Sequence, residues 1–279
     1  MTLVLSTIIL ILSITCISLR VQASAPDAAA QERDPEKLQA QEQPDTGLDP
    51  TVQTSKIGLQ NLFTKQPQGA YLDQFILRGT YAFGFSGKND CSVSVALPTM
   101  AHFDPGNMPR VASATGLGDT NLEFVKIFAL GKLAHAAVLD VWFRPSNPNL
   151  GDTASTGTVL GLGYATSYPL TPNLRTLFFV QYQWTVEQAA GTASVSNLKL
   201  RPFLICYLPH SLFTLAEFRV NPDFQNNNTE LTPSVVLGRF FGPKQKTNLT
   251  VTLDVPVDRF TRANNEKFKL KITWNYFFQ

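Results

Sequence analysis

Between Gln74 and Phe278, apolar residues return at every second position, segment after segment, and no other property of the chain restricts its fold as much. The final segment is the cleanest, with Phe268, Leu270, Ile272, Trp274, Tyr276 and Phe278 set against Lys267, Lys269, Lys271, Thr273 and Asn275. Leu249, Val251, Leu253, Val255 and Val257 alternate with Thr250, Thr252 and Asp254, and Phe178, Val180, Tyr182 and Trp184 alternate with Arg175, Gln181, Gln183 and Glu187. Similar runs start at Phe75, Cys91 and Leu198, and weaker ones cover 118–130, 134–144, 157–168, 211–220 and 230–241. A period of two places like residues on one face of an extended strand. In 118–130, Lys126 spoils one register and Glu123 the other, so its faces stay unassigned.

The connections alternate between short and long. Residues 87–90, 131–133, 169–173, 209–210 and 242–245 are short, whereas 99–117, 145–156, 188–196, 221–229 and 258–265 are long. Tight turns at one end and longer loops at the other mark an up-and-down transmembrane barrel. Strands of this length suit a tilted bilayer crossing, and closure leaves no unpaired edge in lipid. A soluble sandwich would share the alternation, but its outward face would be the polar one. The predicted fold is therefore all-β, an antiparallel up-and-down transmembrane barrel in the bacterial outer membrane. Eleven strands are counted from Gln74, and an even number requires one more within Ile57–Thr64, which also reads as a short helix. Twelve strands is the reading and ten the alternative.

The N-terminal region has a different character. Residues 3–19 are an apolar run followed by Arg20, with Val21 and Ala23 spaced for signal-peptidase cleavage, so 1–23 reads as a signal peptide and the mature chain as starting at Ser24. Residues 24–56 carry seven acids against Arg33, Lys37 and Lys56, interspersed with Ala, Gln and Pro, and read as a disordered acidic extension. Residues 57–279 form the predicted barrel, with a net charge of +5. Of the cysteines, Cys16 leaves with the signal peptide, and Cys91 and Cys206 read as unpaired apolar side chains.

The segment Thr115-Gly116-Leu117-Gly118-Asp119-Thr120, opening a strand, resembles the Gly-Leu-Gly-Asp-Thr signature of the outer-membrane family called "meta-pathway of phenol degradation". The signal peptide, the strand array over 74–278 and the Tyr276-Phe277-Phe278 ending fit that resemblance, while Gln279 displaces the usual terminal aromatic by one. The resemblance implies an outer-membrane channel for hydrocarbon or aromatic uptake and carries over no substrate-binding residue. Gly118 and Asp119 themselves read as a loop-to-strand turn.

Function classes narrow further. A net charge of +2 over 279 residues offers no footprint for nucleic acid. No cofactor or metal-ligand spacing is present. Of the three His, His210 and His135 fall at the periplasmic side, and only His102 lies in a long outer loop, beside Asp104, so no convincing catalytic set emerges. Lipid hydrolysis at the outer leaflet, or a structural barrel without an open pore, are the alternatives to a channel. The expected partners are outer-membrane lipid, a small solute, and the barrel-assembly machinery acting on the C-terminal strand.

Alternation directs nine basic residues into the lumen, Arg78, Arg144, Arg175, Lys199, Arg201, Arg219, Lys267, Lys269 and Lys271, against Asp140, Glu187, Glu217 and Asp254. Strand direction puts Lys199, Arg201, Glu217, Arg219, Asp254, Lys267, Lys269 and Lys271 in the outer half, the lumen-facing candidates, which read either as internal salt bridges filling the barrel or as a basic ring biasing conduction toward anions. Lys267, Lys269 and Lys271 form a row about 13–14 Å long at roughly 3.3 Å per residue, with Asp254 as the obvious counter-charge. The row reads as under-neutralised unless the acidic extension folds back onto it. A polar, net-basic lumen predicts passive diffusion with a weak preference for anions.

Overall fold

A computed structural model of the chain describes residues 46–84, 90–130, 132–143, 147–151, 157–188 and 194–278. The signal-peptide segment, residues 24–45, Arg144, Gln279 and parts of the turn at 87–90 and of the loops at 145–156 and 188–196 lie outside the described residues.

The strands are β1 (Ser55–Lys65), β2 (Tyr71–Phe83), β3 (Cys91–Asp104), β4 (Ala114–Gly116), β5 (Thr120–Leu130), β6 (Leu133–Phe143), β7 (Gly157–Thr171), β8 (Leu174–Gln188), β9 (Ser196–Leu208), β10 (Leu212–Asp223), β11 (Asn228–Phe241), β12 (Thr247–Asp254) and β13 (Phe268–Phe278). One short helix, α1 (Arg259–Asn264), lies in the last long loop. Every pairing is antiparallel, and the sheet closes because β1 pairs with both β2 and β13. Twelve strands form the closed barrel, and β4 is a three-residue addition to β3. The predicted first strand is real: β1 meets β13 in continuous register from Ser55↔Phe278 to Lys65↔Phe268.

β12 shows why the barrel has two faces. Asn248, Thr250, Thr252 and Asp254 are buried inside, while Leu249, Val251 and Leu253 are exposed outside. Phe178, Tyr182, Ile272 and Trp274 join the exposed outer belt. The unassigned faces of β5 resolve in the same way. Glu123 turns inward opposite Asp140, whereas Lys126 turns outward at the periplasmic end and pairs with Asp90 of the adjacent turn.

One boundary differs from expectation, and one loop holds a helix. β3 continues past Pro98 to Asp104, so the long loop begins later than residue 99. Pro98 lacks an N–H, and the strand tolerates it through a register shift against β2 at Phe75/Ile76. His102 is consequently a strand residue, its Nδ1 2.9 Å from Thr115 Oγ1 of β4. The loop before β13 contains α1, capped by Asp258, whose Oδ1 accepts from Thr261 N at 2.7 Å and whose Oδ2 accepts from Leu231 N at 2.9 Å.

Candidate solute path

The lumen is not uniformly polar. On the wall from β5 to β11, Val125, Ala136, Val138, Ala165, Leu177, Phe179, Phe203, Ile205, Leu215 and Val236 form one buried apolar cluster. Sequence reading gave such positions to the polar face by alternation alone. The available signal was two-faced apolar runs such as Leu177-Phe178-Phe179-Val180 and Phe203-Leu204-Ile205. Toward the periplasmic end Phe213 packs against Phe240 with ring centroids 5.0 Å apart and the rings tilted by 40°, and Phe213 sits where a Cβ on Gly238 would be. That is why position 238 has no side chain.

Residues 46–53 occupy this lower half. Leu48 packs against the apolar cluster. Asp49 is buried and accepts from Arg175 at 2.9 Å and from Ser167 Oγ at 3.1 Å, while its other oxygen accepts from Thr51 N at 2.8 Å. Asn248 donates its side-chain amide to Thr46 O at 3.0 Å, and Lys56 Nζ donates to Gly47 O at 3.1 Å. The last residues of the acidic segment thus have defined places inside the barrel. Their acid neutralises Arg175 rather than the lysine row.

Above this floor lies an inner cavity of about 360 Å³, whose lining includes Arg78, Glu123, Phe179 and Pro50. An outer vestibule of about 660 Å³ is bounded by residues such as Lys199, Asn221, Glu230 and Lys269. Arg201, Arg219 and Lys271 border both spaces, so the two meet at these three cations. They belong to one chain of ion pairs. Glu217 accepts from Arg201 at 2.5 Å and from Arg219 at 2.9 Å; Asp254 accepts from Arg219 at 2.7 Å and lies 2.8 Å from Lys271. Strands β9, β10, β12 and β13 supply them, with Ser234 of the intervening β11 donating to Asp254, and inward alternation puts them at one level.

The sequence-derived candidates therefore separate into three groups. Arg201, Glu217, Arg219, Asp254 and Lys271 form the ion-pair chain. Lys199 borders the vestibule with its amine 5.4 Å from the Trp142 ring centroid. Lys269 is 2.7 Å from Glu266, and Lys267 is exposed at the mouth, one residue before β13 begins. The under-neutralised row is thus corrected: Lys269 and Lys271 each have a carboxylate. Glu266 was missed because it lies outside the alternating strand, in the turn that α1 creates.

Glu123 is the second omission. It lines the inner cavity, and across the β5–β6 pair Asp140 accepts from Asn121 at 3.2 Å and also from Gln181. Glu187, assigned to the lumen, is exposed near the rim and accepts from Thr158 Oγ1 at 3.3 Å. The three His lie apart: His102 on β3, His210 in a turn, and His135 stacked on Phe128 on the outer face with ring centroids 5.8 Å apart. Among the described residues, no group of three or more His, Cys, Asp or Glu is placed to hold a metal. Cys91 and Cys206 are buried and form no disulfide.

At the outer mouth, Leu150 packs on Leu72, Ala101 and Phe103. Gly118 of the Gly-Leu-Gly-Asp-Thr segment passes beneath it, donating its N–H to Pro98 O at 3.2 Å. A Cβ there would come within 2.7 Å of Gln74 Nε2 and 2.8 Å of the Pro98 side chain, so the close approach requires glycine.

A closed barrel wearing an apolar belt around a charged interior is the architecture of bacterial outer-membrane barrels. Comparison with solved structures agrees. The chain is similar to the COG4313 outer membrane channel from Pseudomonas putida F1, with a TM-score of 0.62 and 15% identity, over 85% of this chain and 100% of that one. It is also similar to the KdgM porin, with a TM-score of 0.54 and 9% identity over 80% and 99% of the two chains, and to the NanC porin, with 0.53 and 13% over 81% and 100%. At such identities the likeness is one of fold, and these neighbours are porins and a channel rather than enzymes. No family model matches the chain, and no curated protein does.

Proposed function

We propose that this chain is a bacterial outer-membrane channel through which small solutes diffuse passively, and that the Arg201–Glu217–Arg219–Asp254–Lys271 chain is its constriction. The observation that carries this reading is the position of that chain, where the vestibule and the inner cavity meet inside a closed barrel. Three cations against two acids leave the constriction net positive, which supports a weak anion preference. The apolar cluster beneath it, together with the resemblance at Gly116–Thr120, favours solutes that carry a hydrophobic or aromatic part. One porin of the same fold has been studied in complex with an oligogalacturonate, a polyanion. Cleavage after Ala23 and assembly through β13 belong to the same proposal.

A specific observation favours a second reading, a barrel without an open pore: residues 46–53 and the apolar cluster occupy the lower lumen. Planar-bilayer recording separates the two. The channel reading expects discrete conductance steps from protein that fractionates with the outer membrane, migrates heat-modifiably in detergent gels and begins at Ser24. Correctly inserted protein with no conductance, with and without residues 24–53, would overturn it.

A further inference from the structure

Two charges facing the inner cavity keep most of their bonding capacity open. Arg78 on β2 donates one N–H to Gln60 Oε1 at 2.9 Å and is otherwise exposed in the lumen. Glu123 on β5 has neither a hydrogen bond nor an ion pair among the described residues. Register sets their relation. Thr80, Ser94 and Glu123 share one row across β2, β3 and β5, and Arg78, Ala96 and Asn121 share the next. Only Ser94 and Ala96, both small, project from β3 between the two long side chains. Each feels the other's charge. The neighbouring cations are committed elsewhere, Lys56 to Gly47 O and Arg201 to Glu217.

The same cavity is walled by Val138, Phe179 and Phe203. A guanidinium, a carboxylate and an aromatic wall converging on about 360 Å³ present three distinct demands to a ligand. A carboxylate answers the first with charge-assisted hydrogen bonds, an ammonium answers the second, and an apolar group covers the third. We infer that the inner cavity binds an α-amino acid with an apolar or aromatic side chain, its carboxylate on Arg78, its ammonium on Glu123 and its side chain against Phe179 and Phe203. A simple anion satisfies Arg78 but leaves Glu123 facing it with like charge. A simple amine does the reverse.

The inference rests on the channel reading only in that the cavity is reachable from the vestibule, so the test reads binding rather than conduction. Titration calorimetry on the refolded full chain in detergent uses L-phenylalanine, 3-phenylpropionate and 2-phenylethylamine as matched probes. Phenylalanine is expected to bind at least about tenfold more tightly than either analogue, and Arg78→Gln and Glu123→Gln each to remove about that factor. Glu123→Gln leaves 3-phenylpropionate binding intact or improved, a result that general misfolding cannot produce. Absence of phenylalanine binding up to about 10 mM, equal binding of all three probes, or unchanged affinity in both heat-modifiable variants overturns the site. A conducting barrel that ignores phenylalanine sinks this inference alone, whereas a silent barrel that binds it sinks the channel reading alone.

Discussion

The two walls of the lumen use charge differently. On the β9–β13 side Glu217 and Asp254 each touch two cations, and Asp254 is fully enclosed between Arg219 and Lys271. On the β2–β6 side the partners are amides: Gln60 for Arg78, and Asn121 and Gln181 for Asp140, with Glu123 left to the cavity. Mutual ion pairing fixes neighbouring strands to each other along this wall and holds a constriction in shape. Amide partners fix orientation without cancelling charge, so that wall still presents its charge to whatever enters. The first wall is the stiffer, the second the more available.

Breaking the first wall has the largest expected effect. Asp254→Ala leaves Arg219 and Lys271 repelling each other in an enclosed site, and loss of one partner of a buried pair typically costs about 3–5 kcal/mol. Glu123→Gln on the opposite wall removes no partner and should leave folding nearly unchanged. Urea-induced unfolding in detergent, followed by heat-modifiability, checks the contrast. Equal destabilisation by the two variants would erase the distinction between the walls. Next in size is Leu253→Arg, which puts a charge into the lipid belt at a cost of about 2–4 kcal/mol, whereas Thr252→Arg points into the lumen and costs much less. Equal insertion of both would refute the register of β12.

How far these walls could be read beforehand depends on which residues announce themselves. β12 and β13 alternate so cleanly that both faces, the lysines and Asp254 followed from period two alone. Strand β5 did not, because Glu123 and Lys126 occupy opposite parities and either could be the exception. What decides is height: Lys126 reaches the periplasmic rim and Asp90, an arrangement that needs the turn's position in space. The apolar lower lumen was hidden for a related reason. Period two identifies two faces but assigns water to one of them only by assumption, and Leu177, Phe179, Phe203 and Ile205 face an interior that Leu48 fills. Composition likewise misled at Asp49. An acidic Pro- and Gln-rich segment has too little apolar surface to fold alone, yet a ready-made cavity with Arg175 and Ser167 holds its last residues.

Asp49→Ala sharpens the comparison from below, since the Asp49–Arg175 pair ties residues 46–53 to the wall as the ion-pair chain ties β9–β13. Its loss removes the bonds from Arg175 and Ser167 and the turn at Thr51, with an expected effect of about 1–3 kcal/mol on this segment. The barrel's own strands keep their pairing, so overall unfolding should shift less than in Asp254→Ala. The readout is conductance, which should rise. Charge exchange in an Asp49→Arg/Arg175→Asp double variant should lower it again. Conductance unaffected by Asp49→Ala would mean that the segment does not limit the path.

The smallest effect concerns the lysines of β13, and it separates a paired charge at the constriction from a free one at the rim. Lys267 is exposed at the mouth, where salt screens it over about 8–10 Å. Lys271 lies deeper, at the meeting of the two cavities, 2.8 Å from Asp254. Removing Lys271 subtracts one positive charge from a chain of three cations and two acids, taking the constriction from net +1 to neutral. Arg219 still holds Asp254, so the strand pairing survives. Reversal potentials in a salt gradient should therefore move toward cations for Lys271→Gln and stay within error for Lys267→Gln, with Lys269→Gln in between because Glu266 partners it at 2.7 Å. The three-fold Lys267/Lys269/Lys271→Gln variant should shift little beyond Lys271→Gln alone. A triple variant that moves selectivity far beyond the single would mean that the vestibule, and not the chain from Arg201 to Lys271, sets the charge preference.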